Sequence, residues 1–76
     1  MTRPLYEIAA DIRRHWKKPN LLSLFALGGL EHVASPKDRF QGYTGHEYVR
    51  KFLMNSESFR GPNADRIKAE FRNMFK

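Results

Sequence analysis

Leu5, Ile8, Ala9, Ile12 and Trp16 fall three and four residues apart, a spacing that gathers all five on one side of an α-helix and that no strand can reproduce. This stripe constrains the fold, because whatever packs on it must cover a helical apolar face. Pro4, with Thr2 or Arg3 ahead of it, suits the helix start, and Pro19 stops the helix. Glu7 near the beginning and Arg14, Lys17 and Lys18 near the end each sit at the dipole end that favours their charge. With 76 residues, one core is expected to serve every element, and a single domain is expected. A chain this short buries only about 60% of the surface it exposes when unfolded. It has no Cys, hence no disulfide and no thiolate zinc site, and a reducing cytoplasm is the expected setting. Packing, or packing helped by self-association, has to hold it.

Three more helices follow from the pattern. Asn20 can cap a helix from Leu21 to Leu30 whose Leu21, Leu22, Leu24, Phe25, Leu27 and Leu30 leave little polar face, which predicts a buried, central element. Gly28-Gly29 inside it reads as close approach of a neighbouring helix, or else as the helix end. Residues 34–43 are rich in Ser, Pro, Lys, Asp, Arg, Gln and Gly and predict the one long loop, carrying Lys37 and Arg39. Thr44-Gly45-His46-Glu47 is a capping box that opens a third helix with Tyr48, Val49, Phe52, Leu53 and Ser56 on one side. Ser58-Phe59-Arg60-Gly61 interrupts the pattern, and Pro62 begins a fourth helix with Ala64, Ile67, Phe71, Met74 and Phe75 inward. The predicted fold is all-α, a single small domain of four short helices in which three amphipathic helices surround one apolar central helix.

The residues for catalysis are not grouped in any familiar spacing. His15, His32 and His46 fall on different elements without an HExxH or Cys–His pattern, and each reads as a surface or loop histidine. No GK[ST] follows Gly28-Gly29, so no phosphate-cradling loop is present. The chain is therefore expected to be non-enzymatic and to need no cofactor or metal. Met1 is followed at once by charged and polar residues, not by a leader pattern, and the Leu21 to Leu30 stretch has about half the length of a membrane helix. A soluble, cytoplasmic protein without a membrane partner is expected.

Charge points outward. Fourteen Lys and Arg against eight Asp and Glu give +6, which makes polyanions plausible partners. On the first helix Arg14 and Lys18 share a side with Glu7 and Asp11 and can neutralise there, Asp11 with Arg14 for instance. Arg13 and Lys17 lie on the other flank, beside Tyr6, with no acid of their own helix near them. On the fourth helix Arg66 can pair with Glu70, while Lys68, Arg72 and Lys76 step by four along the edge of the stripe. If both flanks face one way, five cations make a patch for phosphates or an acidic protein; otherwise their stems cover the core margin with the heads in water. Arg60, beside the amides that open the fourth helix, is a further anion candidate, although Phe59-Arg60-Gly61 also reads as a turn. Arg50 and Met54 stand outside the third stripe, which leaves a Met exposed.

The segments Leu5-Tyr6-x-Ile8-Ala9-x-x-Ile12-x-x-x-Trp16-Lys17, Tyr48-Val49-Arg50-Lys51-Phe52-Leu53-x-Asn55 and Phe59-Arg60-Gly61-x-x-Ala64-x-x-Ile67-Lys68-x-Glu70 resemble small, largely uncharacterised helical proteins encoded by phages, prophages and plasmids. The resemblance implies a helical fold and a mobile-element setting. It covers core and turn residues, departs from the group at Phe59, where Trp is common, and fits poorly over Leu27-Gly28-Gly29-Leu30 and residues 35–42. Two roles are carried forward. One is a protein-interaction or accessory module that binds a host or phage protein, with a homo-oligomer as a blander form. The other is a nucleic-acid-binding protein contacting phosphates through Arg13, Lys17, Lys68, Arg72 and Lys76, with Lys37, Arg39 and Arg60 as additions.

Overall fold

The computed structural model describes residues 3–74. Within them α1 spans Leu5–His15, α2 Leu21–Leu30, α3 Gly45–Met54 and α4 Pro62–Met74, and a two-stranded hairpin, β1 Arg39–Phe40 and β2 Tyr43–Thr44, leads into α3. The chain is mainly helical but not purely all-α. The segment 34–43, expected as loop, contributes to a strand pair that runs on into Thr44, with Arg39 opposite Thr44 and Phe40 opposite Tyr43. Its turn residues Gln41 and Gly42 both have positive φ, 52° and 86°, the combination that a two-residue hairpin turn of the primed kind demands. Two-residue strands are too short to leave a periodicity in the sequence.

The helix ends follow local chemistry. Asn20 accepts a hydrogen bond from the Ser23 amide at 2.9 Å, which caps α2. Thr44 and Glu47 form the reciprocal capping box at the start of α3. Pro4 offers α1 no side-chain cap, and the first free amide, that of Leu5, donates instead to the Ala34 carbonyl at 2.9 Å. Gly61, at φ 110°, turns the chain into α4.

One continuous core runs through the helices, with Leu5, Ile8 and Ile12 of α1, Leu27 and Leu30 of α2, Tyr48, Val49 and Phe52 of α3, and Ile67 and Phe71 of α4 fully covered. At one end the rings interlock: Trp16 stacks on Phe59 at 5.1 Å, and Phe52 meets Phe71 edge-on at 5.5 Å. Gly29 of α2 lies directly against the Tyr48 ring of α3, since a Cβ there would overlap the ring carbons. The close-packing reading of the glycine pair therefore holds for Gly29. It does not hold for Gly28, whose Cβ would meet nothing within 4 Å.

The expected central position of α2 is corrected. The described residues extend 29 × 28 × 19 Å, and the short dimension holds two helix diameters of about 10 Å. No helix can then have neighbours on every side. α2 buries Ser23, Ala26, Leu27, Gly29 and Leu30 and leaves the rest of its apolar surface uncovered.

The expected ion pairs are also redrawn by tertiary contact. Asp11 is not paired with Arg14: its carboxylate accepts from Arg66 Nη1 at 3.1 Å and lies 3.1 Å from Arg3 Nη2, with His15 Nδ1 3.1 Å away on the other oxygen. Glu70 is held not by Arg66 but by Arg3, which donates Nε and Nη2 to its two oxygens at 3.0 and 2.7 Å. This network ties the segment before α1, and α1 itself, to α4. Burial works against ionisation of Asp11, but hydrogen bonds from Arg66 and Arg3, with their charges, outweigh it and hold the carboxyl below its ordinary range.

Candidate functional site

The largest unbalanced feature is the outer face formed by α2 and α3. On a helix at roughly 100° per residue, Leu21, Leu22, Leu24 and Phe25 project from one side of α2, opposite the buried Ser23, Ala26 and Leu27. Leu21 is 82% exposed, Leu22 60% and Phe25 44%, and Met54 at the end of α3 is 70% exposed. Leu22, Phe25 and Met54, with Lys51 and Asn55, line a groove of about 380 Å³ between the two helices. Met54 also borders two neighbouring hollows, one with Glu47, Arg50 and Lys51, the other with Asn20, Asn55, Glu57 and Ser58.

The two helices that build this face are held rigidly. Asn20 Nδ2 and Ser23 Oγ both donate to the Asn55 carbonyl, at 2.7 and 2.8 Å, which fixes the start of α2 against the end of α3. At the other end Phe25, Tyr43 and Tyr48 form a three-ring cluster with centroids 5.6 Å apart. Tyr48 donates its hydroxyl to the Phe40 carbonyl at 2.7 Å, so the hairpin is tied to the same cluster. Burial, with the nearby Tyr43 and Glu47, pushes the Tyr48 phenol up. The Lys51 ammonium lies 5.4 Å from the centre of the Tyr43 ring. The hydrogen-bonded capping box, first the Thr44 amide and then its hydroxyl, holds Glu47 below the ordinary carboxylate range, with Arg39 and Lys51 adding to the effect.

The cations singled out by sequence are distributed differently from the expected patch. Arg13 is not uncompensated: it forms an ion pair with Glu31, just past the end of α2. Lys17 is exposed beyond Trp16. Lys68 donates Nζ to the carbonyls of Ser56 and Phe59 at 2.8 and 2.7 Å, and so closes the turn between α3 and α4. Burial pushes the Lys68 ammonium down in pKa; Asp65 works against the shift, and Arg72 and Arg60 add to it. Arg60 itself donates Nε to the Glu57 carbonyl at 3.0 Å. Lys37 and Arg39 are exposed in the hairpin region, and Lys76 lies outside the described residues. Arg60 and Lys68 are thus engaged by carbonyls of the turn between α3 and α4, while Arg13 is drawn towards α2.

Asp11 and His15 pair a carboxylate with an imidazole, and the arginines around Asp11 make it a packing pin between α1 and α4. Among the described residues no group of three His, Cys, Asp or Glu could hold a metal ion, and no helix is long and apolar enough to cross a membrane. The α2–α3 face was missed in the sequence as a site, although its signal was present. A helix that is apolar all round needs cover on all sides, and a 76-residue chain cannot supply it. No protein-family model, curated protein or solved structure matches the chain.

Proposed function

We propose that this chain is a non-enzymatic protein-interaction module that docks an apolar surface of another polypeptide on the α2–α3 face. The observation that carries the reading is the exposure of Leu21, Leu22, Phe25 and Met54 on two helices locked together by Asn20, Ser23 and Tyr48. A rigid, contiguous apolar face rimmed by polar groups is the usual form of a docking surface, and exposed Met adds adaptability. The accessory role in a phage, prophage or plasmid rests on the resemblance of the terminal segments alone.

Phosphate contact through the cations is the second reading, favoured by the net charge of +6. It has less behind it, because Arg13 is engaged by Glu31 and Lys68 by two carbonyls.

The test is photo-crosslinking in cells that express the chain, with a photoreactive residue in place of Met54 and, as control, in place of the exposed Arg14. Position 54 should give a discrete adduct to a protein that nuclease leaves intact, and position 14 should not. No protein adduct from position 54, or an adduct that nuclease removes, overturns the reading.

A further inference from the structure

We propose that the occupant of the α2–α3 face is a second copy of this chain, related by a two-fold axis; the inference rests on the docking reading above and names its partner. Three features of the face make it complementary to itself. At about 200 Å² for a large residue, the exposed fractions of Leu21, Leu22, Leu24, Phe25, Tyr43 and Met54 leave roughly 650 Å² of mainly apolar surface open. A standard interface removes about 800 Å² from each partner. The apolar side chains alone therefore nearly fill the area that a stable dimer needs.

The relief of the face pairs a projection with a hollow. Leu21, the most exposed apolar residue, stands beside the groove of Leu22, Phe25 and Met54 without lining it. A two-fold axis passing between them seats each Leu21 in the groove of the other copy, the reciprocal contact that an isologous interface requires. Gly28 adds to this. Its neighbour Gly29 is needed against Tyr48, but nothing in the chain lies within 4 Å of a Cβ at Gly28. By helical spacing Gly28 continues the Leu21, Leu24, Phe25 side of α2, so a helix of a second copy can approach the backbone there.

Charge is polarised along the same direction. Glu57 borders the hollow shared with Asn20 and Asn55, while Lys51 and Arg50, which outnumber Glu47 there, border the other hollow beside Met54. Neither Glu57 nor these two cations forms an ion pair among the described residues, and α2 itself carries no charge. The two-fold arrangement carries Glu57 of one copy towards Lys51 of the other, and it sets the two α2 dipoles in opposition.

Sedimentation of the full chain over a concentration series tests this, with circular dichroism to verify that each variant is folded. The wild-type chain should pass from one to two copies with concentration. Leu21→Asp and Met54→Glu, both at exposed positions, should each raise the dissociation constant by at least about tenfold. Glu57→Lys and Lys51→Glu should each raise it by about fivefold, and the two together should restore it to within about threefold. A chain that stays monomeric throughout, or a dimer indifferent to Leu21→Asp and Met54→Glu, overturns the proposal. A monomeric chain whose position 54 still crosslinks to a different protein sinks the second copy and leaves the docking reading standing; with no protein adduct at all, both fall.

Discussion

At the scale of single residues, two buried polar groups define the molecule. Tyr48 combines a ring pressed on Gly29 with a hydroxyl that satisfies the Phe40 carbonyl. Tyr48→Phe keeps the ring and removes the hydroxyl's bond to that carbonyl, and it should cost about 1 kcal/mol in urea-induced unfolding. Asp11 bridges Arg3 and Arg66, which stand far from it in sequence. Because its folded pKa is depressed, its stabilisation is complete above the unfolded value of about 3.9 and is lost as pH falls through the lower folded value. Asp11→Asn should then cost about 1–2 kcal/mol at neutral pH, since both arginines are partly solvated. The gap to the wild type should close in strong acid. An unfolding series from neutral pH into that range checks both the size and the sign; a gap that widens with acid rejects the account.

At the scale of elements, the adjacent glycines of α2 have opposite duties, and their substitutions should move stability in opposite directions. Gly29→Ala forces a methyl group into the Tyr48 ring and should destabilise by about 1–3 kcal/mol. Gly28→Ala meets open space within the chain and removes a flexible residue from a helix interior, which should stabilise the isolated monomer by about 0.5–1 kcal/mol. Thermal unfolding of both variants at low chain concentration decides. The helices and the capping box at α3 were legible because capping and apolar periodicity act within one or two turns of chain. The hairpin was not, because it rests on the positive φ of Gln41 and Gly42 and on the distant Tyr48 hydroxyl bond.

At the scale of the whole molecule, the governing quantity is thickness. Two helix layers cannot enclose α2, so the most apolar helix of the chain keeps one side, Leu21, Leu22, Leu24 and Phe25, open to solvent. Stability should then depend on chain concentration by mass action, with a melting temperature that rises as the chain is concentrated. Leu21→Asp, which empties the proposed contact, should remove that dependence while preserving the helical signal. A melting temperature independent of concentration in the wild-type chain would count against self-association as a source of stability.

The sequence by itself determined the four helices, the caps of α2 and α3 and the inward stripes of α1, α3 and α4, because these depend on neighbours three and four residues apart. The exposure of Met54 was legible in the same way, from its place outside the stripe of α3. Only the tertiary structure decided which apolar faces found cover and which charges found partners. Glu31 meeting Arg13, Glu70 meeting Arg3 and the bare side of α2 all depend on how the helices are stacked, and no local pattern carries that information.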